Sequence, residues 1–244
     1  MAVQLTPDDL DHYASTYYLN AEVDDVDIEE LAQRHSVPDL LRAVDGCDRV
    51  LEMGFGTGLI TGELLAAGVP LEVLEGSAVL REHAMAVHPG LTVHLSMFEE
   101  FEPAEPFDAV LALHVLEHVD HPRELLRHVE RWVRPGGILV AVTPNARSLH
   151  RLLGVQMGLQ ERLDDLSARD HLVGHQRVYD LEGLEDELTG AGLEVTGSFG
   201  YFVKPLANSQ MVGWSREVLD GLNAISSQVP TELLANIGVV ARRR

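Results

Sequence analysis

The run Glu52-Met53-Gly54-Phe55-Gly56-Thr57-Gly58 sets one acid and three glycines at alternate positions. Apolar Val50-Leu51 precedes it, and an apolar-periodic stretch follows over residues 59–67. The pattern reads as strand, glycine turn, helix. Such a turn lets backbone N–H groups approach a ligand with no Cβ in the way. A dinucleotide fingerprint would place a third glycine or alanine at the position held by Leu59. Seventeen residues beyond Gly58, a second short strand ends on Glu75. That is close to the ~20-residue offset at which an acid meets ribose hydroxyls in nucleotide-binding α/β units. A carboxylate there accepts two hydrogen bonds from a vicinal diol, whereas the competing reading is a solvated strand-end glutamate. Histidines offer a second kind of chemistry. The run Asp170-His171-Leu172-Val173-Gly174-His175 carries two, and His114-Val115-Leu116-Glu117-His118 carries two more around a glutamate. A lone histidine is usually structural. Near a polar ligand, one of these could act as a general base. In a helical turn His114, Glu117 and His118 would share a face, and His175 could complete a four-ligand metal set.

The elements that must position these groups follow in order. After the glycine helix come strands at Leu71–Glu75 and 91–95, the latter followed by Ser96-Met97-Phe98. A fourth strand, Phe107–Leu113, feeds the His114 turn. An amphipathic helix is expected over 122–133, and Arg134-Pro135-Gly136-Gly137 turns into a fifth strand at 138–142. A helix over 180–191, a sixth strand over 193–199 and a last strand over 237–242 complete the pattern. Residues 1–46 read as an N-terminal helical cap. Thr6 with Asp8-Asp9 is a helix start, residues 28–34 are amphipathic, and Tyr13, Tyr17 and Tyr18 stand at helical spacing. Two insertions, 144–179 and 200–236, interrupt the main domain of residues 47–244. Both leave from the carboxyl ends of strands, the edge where open α/β sheets bind ligands. Their leucines and charges suit a lid, and a dimer interface is the other reading.

The acid-x-Gly-x-Gly-x-Gly order, Glu75, the Val115-Leu116-Glu117-His118-Val119 segment and the Pro-Gly-Gly turn together resemble the class I S-adenosylmethionine (SAM)-dependent methyltransferases. The Val-Leu-Glu-His-Val segment is similar to the branch that contains the ubiquinone-biosynthesis O-methyltransferases. The resemblance covers about residues 47–143. It implies a Rossmann-like, doubly wound α/β sheet, mostly parallel with an antiparallel last strand, and helical insertions over the carboxyl edge. It implies SAM as cofactor, held by Glu52, Gly54, Gly56, Gly58, Glu75, Ser96, Met97, Phe98, Leu113 and His114, with Tyr13 and Tyr18 covering the pocket. Related enzymes often carry an Asp near Ser96 for the adenine amino group, and this chain departs from that. His114-Val115-Leu116-Glu117-His118 also resembles the metal-binding Glu-x-x-Glu-His of small-RNA 2′-O-methyltransferases, with His114 in place of the first Glu. Most Val-Leu-Glu-His-Val enzymes use no metal.

The expected activity is therefore methyl transfer to a small polar acceptor, such as a sugar or specialised metabolite. SAM is already electrophilic, so the protein mainly aligns the acceptor lone pair. A hydroxyl additionally needs a base, and the histidine supply favours oxygen. His175 is the expected base, with His118 or His171 positioning the acceptor and no metal required. Arg177 and Tyr179 offer flanking donors, and Asn208, Ser209 and Gln210 could orient a polar substrate. N-methylation of an amine, an amino sugar or a peptide terminus is the alternative, followed by a non-catalytic SAM-binding partner protein. The 244 residues, 45% of them hydrophobic, suit one α/β domain with a sizeable core. A formal charge of −21 repels phosphate backbones and argues against RNA or DNA as the acceptor. One cysteine, Cys47, an N-terminus without a leader profile and no apolar run near the ~20 residues of a bilayer span point to a cytoplasmic protein, monomer or homodimer.

Overall fold

The computed structural model describes residues 6–19 and 26–244; Met1 to Gln4 and the Tyr17 side chain lie outside that description. Seven strands form one sheet, whose spatial order is β3-β2-β1-β4-β5-β7-β6. The strands are β1 (Val50–Met53), β2 (Leu71–Glu75), β3 (Thr92–Leu95), β4 (Phe107–Leu113), β5 (Val133–Pro144), β6 (Glu194–Tyr201) and β7 (Asn236–Arg242). β1 to β5 pair in parallel, and β7 runs antiparallel between β5 and β6. This is the mixed, Rossmann-like sheet that the pattern implies.

The central strands are apolar on both faces because helices cover both. Val50 and Leu51 point into opposite layers, as the two-residue period of a strand demands. One layer packs α6 (Pro122–Glu130) and α9 (Leu181–Gly190) through Leu125, Leu126, Val129, Leu184 and Leu188 around buried Trp132. The other packs α2 (Val26–Arg34), α3 (Val37–Ala43) and α4 (Leu59–Ala66) through Ile28, Leu31, Leu40 and Leu64. The remaining helix of the main domain, α5 (Ala78–Val87), follows β2.

One boundary differs from expectation. α6 ends at Glu130, and β5 already starts at Val133, running through the Arg-Pro-Gly-Gly segment. Long-range pairing is the reason. Val133 pairs with Phe107, the Gly136 N–H donates to the Arg243 carbonyl, and the Arg243 N–H donates to Gly137. The register shift between Phe107 and Ala109 absorbs the irregularity as a bulge does.

Both insertions rise from the carboxyl edge. The first holds α7 (Leu149–Gln156) and α8 (Ala168–Leu172), the second α10 (Asn208–Met211) and α11 (Arg216–Ala224). The Asn145 amide, at the end of β5, donates to the carbonyls of Glu232 and Leu234, both at 2.8 Å, and so ties the roots of the two insertions together. Helix α1 (Pro7–Tyr13) opens with a Thr6–Asp9 capping box and continues into a π-helical turn over Ala14–Tyr18. It is anchored on two sides. Asp11 accepts from the Ser77 hydroxyl at 2.6 Å and the Val79 N–H at 3.2 Å, and the Tyr13 hydroxyl donates to the Leu172 carbonyl at 3.1 Å.

Candidate active site

Two adjoining cavities open along the carboxyl edge, one of about 820 Å³ and one of about 340 Å³. Tyr18, Gln33, His114, His118 and Val173 line both and therefore mark the passage between them. The larger chamber is floored by the glycine turn. Gly54, Gly56 and Gly58 all adopt left-handed φ, at 81°, 56° and 77°. Their reasons differ. A Cβ on Gly58 would sit 2.3 Å from the Phe55 ring, so that glycine serves the fold of the turn itself. A Cβ on Gly56 would reach toward Tyr18 at 3.7 Å, into the gap between turn and cover.

Glu75, at the end of β2, is 6% exposed and lines the chamber. Its two oxygens accept the Ser77 and Phe55 N–H groups, each at 2.8 Å. The Gly76 N–H also acts on this carboxylate, which with about four acceptor sites still keeps capacity for a ligand. Ser96, Met97, Phe98 and Leu113 line the same chamber, with Tyr13 and Tyr18 packed edge to face at 5.8 Å above it. The Ser96 hydroxyl donates to the Met97 carbonyl at 3.0 Å, which leaves its oxygen as an acceptor.

Glu52 lies beneath the turn, 3% exposed, and accepts from the Thr61 hydroxyl at 2.7 Å. Burial, reinforced by the charge of Glu75 and opposed by Thr61, pushes its pKa up to about 8. The folded state thus holds this proton more tightly than the unfolded chain does. Its contribution to stability declines as pH rises from about 4.5 toward 8, by about 1.4 kcal/mol per pH unit at most. Glu52→Gln is accordingly expected to be more stable than wild type, with a gap that widens between neutral and mildly alkaline pH. Urea melts across that range measure it, and a gap independent of pH contradicts the assignment.

The smaller chamber holds the histidine chemistry. The Asp170 Oδ1 atom lies 2.8 Å from His175 Nδ1. Asp170 itself accepts from the Arg151 guanidinium at 2.6 Å and from the Ser167 hydroxyl and N–H at 2.6 and 2.8 Å. Burial opposes its ionisation, but the His175 bond, Arg151 and Ser167 outweigh that and hold the carboxyl far below the usual range. His118 packs edge to face on His175, centroids 4.7 Å apart. Burial, aided by His175 and opposed by Glu117, lowers the His118 pKa to about 4, so its ring is neutral.

His114 is placed differently from the helical-turn expectation. It takes a left-handed φ of 55°, and its ring bonds to Glu117 Oε1 at 3.1 Å and to the Tyr201 hydroxyl at 3.2 Å. Burial disfavours its charge, yet Glu117 and Glu29 outweigh burial and raise its pKa. Among the described residues, the group whose ligand atoms converge within 4.8 Å is Glu117, His118 and His175, without His114. The second carboxylate oxygen of Glu117 is buried with no partner.

Several other positions also differ from the sequence reading. His171 is exposed and lines neither chamber, because the Ser167–Asp170 capping box phases α8 with Asp170 inward. Arg177 spends its guanidinium on the carbonyls of Leu116, Val119 and Asp120. Tyr179 packs in the core, and Ser209 is exposed. Asn208 and Gln210 do line the smaller chamber, the former bonded to Glu29 at 3.0 Å. Asp170, Tyr201, Glu29 and Lys204 were missed. Their partners are distant in sequence, and only the close Asp170–His175 spacing offered a local signal.

Residues 22–197 match a family model described as a methyltransferase domain. The chain belongs to this family. The methyltransferase is 30% identical over 176 residues to the ubiquinone biosynthesis O-methyltransferase of Rhizobium leguminosarum bv. trifolii (strain WSM2304), covering 70% of this chain and 68% of that one. Among solved structures, the N-methyltransferase NodS from Bradyrhizobium japonicum WM9 in complex with S-adenosyl-L-homocysteine superposes with a TM-score of 0.58. Identity there is 15%, with 96% of this chain and 98% of that one covered. A SAM-dependent methyltransferase from Thermotoga maritima, described as a possible histamine N-methyltransferase, gives 0.60 at 18% identity, covering 96% and 100%. At those identities the structural likeness speaks for the fold. The methyltransferase is an enzyme that uses SAM, and its larger chamber fits that cofactor: unspent acceptors on Glu75 and Ser96 stand around an open glycine turn.

Proposed function

We propose that this methyltransferase transfers the methyl group of SAM to a hydroxyl of a small polar acceptor of the sugar or specialised-metabolite class, with His175 as general base. The observation that carries the reading is the Asp170–His175 pair in the wall of the smaller chamber, beside His118 at the passage. Asp170 keeps the proton on Nδ1, which leaves Nε2 a lone pair for the acceptor hydroxyl. When bound, SAM supplies an electrophilic methyl group. The chain aligns the acceptor oxygen with it and takes up the proton. On the cofactor side, Glu75 serves the ribose hydroxyls and Ser96 the adenine amino group. Met97, Phe98 and Leu113 pack on the ring, while Glu52, Gly54, Gly56, Gly58, His114, Tyr13 and Tyr18 surround the remainder. The O-methyltransferase name of the sequence relatives supports oxygen over nitrogen.

Turnover of labelled SAM with a panel of hydroxyl and amine acceptors tests the proposal. Transfer to hydroxyls is expected; transfer to amines alone, undiminished in His175→Ala, replaces it with N-methylation. The first insertion is expected to close over the acceptor. Hydrogen exchange should show residues 149–173 gaining protection when S-adenosylhomocysteine and a hydroxyl acceptor are added together. Residues 175–179 should be protected throughout, since Gln176 and Arg177 are already bonded to the turn after β4. Equal protection of 149–173 in the free protein identifies a rigid wall instead.

A second reading rests on Glu117, His118 and His175, whose ligand atoms converge within 4.8 Å, and on the buried Glu117 oxygen that has no partner. These three residues would hold a divalent cation, and their nitrogen-rich set suits zinc, nickel or iron. Such an ion would acidify the acceptor hydroxyl. Activity lost to a chelator and restored by one added divalent metal selects this reading; turnover indifferent to chelation selects the base.

A further inference from the structure

Among the described residues, His114, His118, His150 and His175 line the smaller chamber, and they differ in how their rings are held. His114 is bonded through both nitrogens, His175 is bonded through Nδ1 to Asp170, and the Gly174 backbone acts on His118. His150 stands apart. Its Nδ1 is buried without a partner, and no hydrogen bond from a described residue reaches Nε2, the nitrogen left accessible. Of the buried polar atoms without a partner among the described residues, this is the one whose side chain lines the smaller chamber. Burial, aided by Lys204 and Arg151 and opposed by Asp170, keeps the His150 pKa well below the imidazole range. The ring is therefore neutral and carries a single N–H. Orphaned buried N–H groups are rarer than orphaned acceptors, which puts the lone pair on Nδ1 and the N–H on Nε2.

The surrounding chain fixes this presentation. Arg151 donates to the carbonyls of Leu163 and Asp165 and to the Asp170 carboxylate, and so pins α7 against the segment that leads into α8. His150, Leu153, Gly154 and Met157 then recur at helical spacing on one face of α7, and all four line the chamber. His150 is the polar group of that face, at the first turn of the helix. Ligand sites are built in this way, mostly apolar with a few placed polar groups that set orientation. A buried polar atom without a partner costs stability. Its position beside a cavity points to a partner that arrives with the ligand.

We infer that His150 is a specificity-determining residue of the acceptor site: its Nε2–H donates to a carbonyl oxygen of the acceptor, whose apolar body lies along Leu153 and Met157 and whose hydroxyl faces His175. The acceptor is then a hydroxyl-bearing carbonyl compound. One histidine takes its proton, and another gives it a hydrogen bond. The inference rests on the smaller chamber being the acceptor site, as proposed above.

The test uses the full chain saturated with S-adenosylhomocysteine and two phenols of similar shape, meta-hydroxyacetophenone and meta-ethylphenol. They differ by a carbonyl in place of a methylene. Calorimetry should show His150→Leu losing about tenfold in affinity for the ketone, a difference of about 1.4 kcal/mol, and none for the ethylphenol. His150→Gln, whose amide nitrogen reaches the place of Nε2, should keep most of the ketone affinity. Affinity for S-adenosylhomocysteine should be unchanged in both variants. Urea melts add a readout of opposite sign: His150→Leu removes an orphaned buried atom and should be at least as stable as wild type. A lower urea midpoint with both phenols weakened alike marks a structural histidine and overturns the assignment. Ketone affinity that survives His150→Leu overturns it too, while leaving the acceptor chamber standing. Failure of the wild type to bind either phenol at millimolar concentration, with S-adenosylhomocysteine still bound, overturns both.

Discussion

Replacing His175 with alanine is expected to slow methyl transfer by about 10²-fold or more, the usual range for losing a general base. Affinity for SAM should be nearly unchanged, because His175 lines the smaller chamber and not the larger one, where the proposed cofactor contacts lie. Single-turnover kinetics with saturating SAM separates the two effects. Asp170→Asn is the companion variant. It keeps the shape but removes the charge that fixes the His175 proton, so the rate should fall with it. That change also leaves Arg151, 6% exposed, without its carboxylate, which is costly in a buried site. A melting curve must therefore accompany the rate. Full turnover by His175→Ala would remove this histidine from the chemistry.

Loss of the Glu75 carboxylate should be the most damaging change on the cofactor side. Two hydrogen bonds to ribose, about 1.5–3 kcal/mol each for a charged acceptor before solvent compensation, make a tenfold or larger loss of SAM affinity the expected result of Glu75→Ala. The structure adds a second cost. The same carboxylate accepts the Phe55 and Ser77 N–H groups, so alanine orphans two buried donors, at roughly 1–3 kcal/mol each. Glu75→Gln keeps an acceptor oxygen and should spare much of the stability while still weakening binding. Calorimetry with S-adenosylhomocysteine, paired with urea melts, distinguishes ligand contact from scaffold. Normal affinity in a folded Glu75→Ala protein means that the ribose sits elsewhere.

The unit from β1 to β2 was plain in the sequence because each of its signals is local. Apolar runs give the strands, glycines give the turn, and the offset to Glu75 is short. The start of β5 was not, because residues 133–137 become extended only through pairing with Phe107 and Arg243. His175 could be singled out beside a glycine, but the phase of α8 is set by its Ser167–Asp170 cap, which turns Asp170 inward and His171 outward. Arg177 looked like a donor for the acceptor. Its work is to bind three carbonyls of a turn some sixty residues away, a pairing no local pattern encodes.

The hydroxyl of Tyr13 on the Leu172 carbonyl has a bearing on both chambers. Helix α8 carries Asp170, the partner of His175, and two residues later it carries the carbonyl that fastens the N-terminal helix. One short helix therefore answers to both compartments. If His175 acts as proposed, any displacement of the N-terminal helix would cost α8 a fastening and the Asp170–His175 pair a support, so this one hydrogen bond links the cover of the larger chamber to the geometry of the smaller.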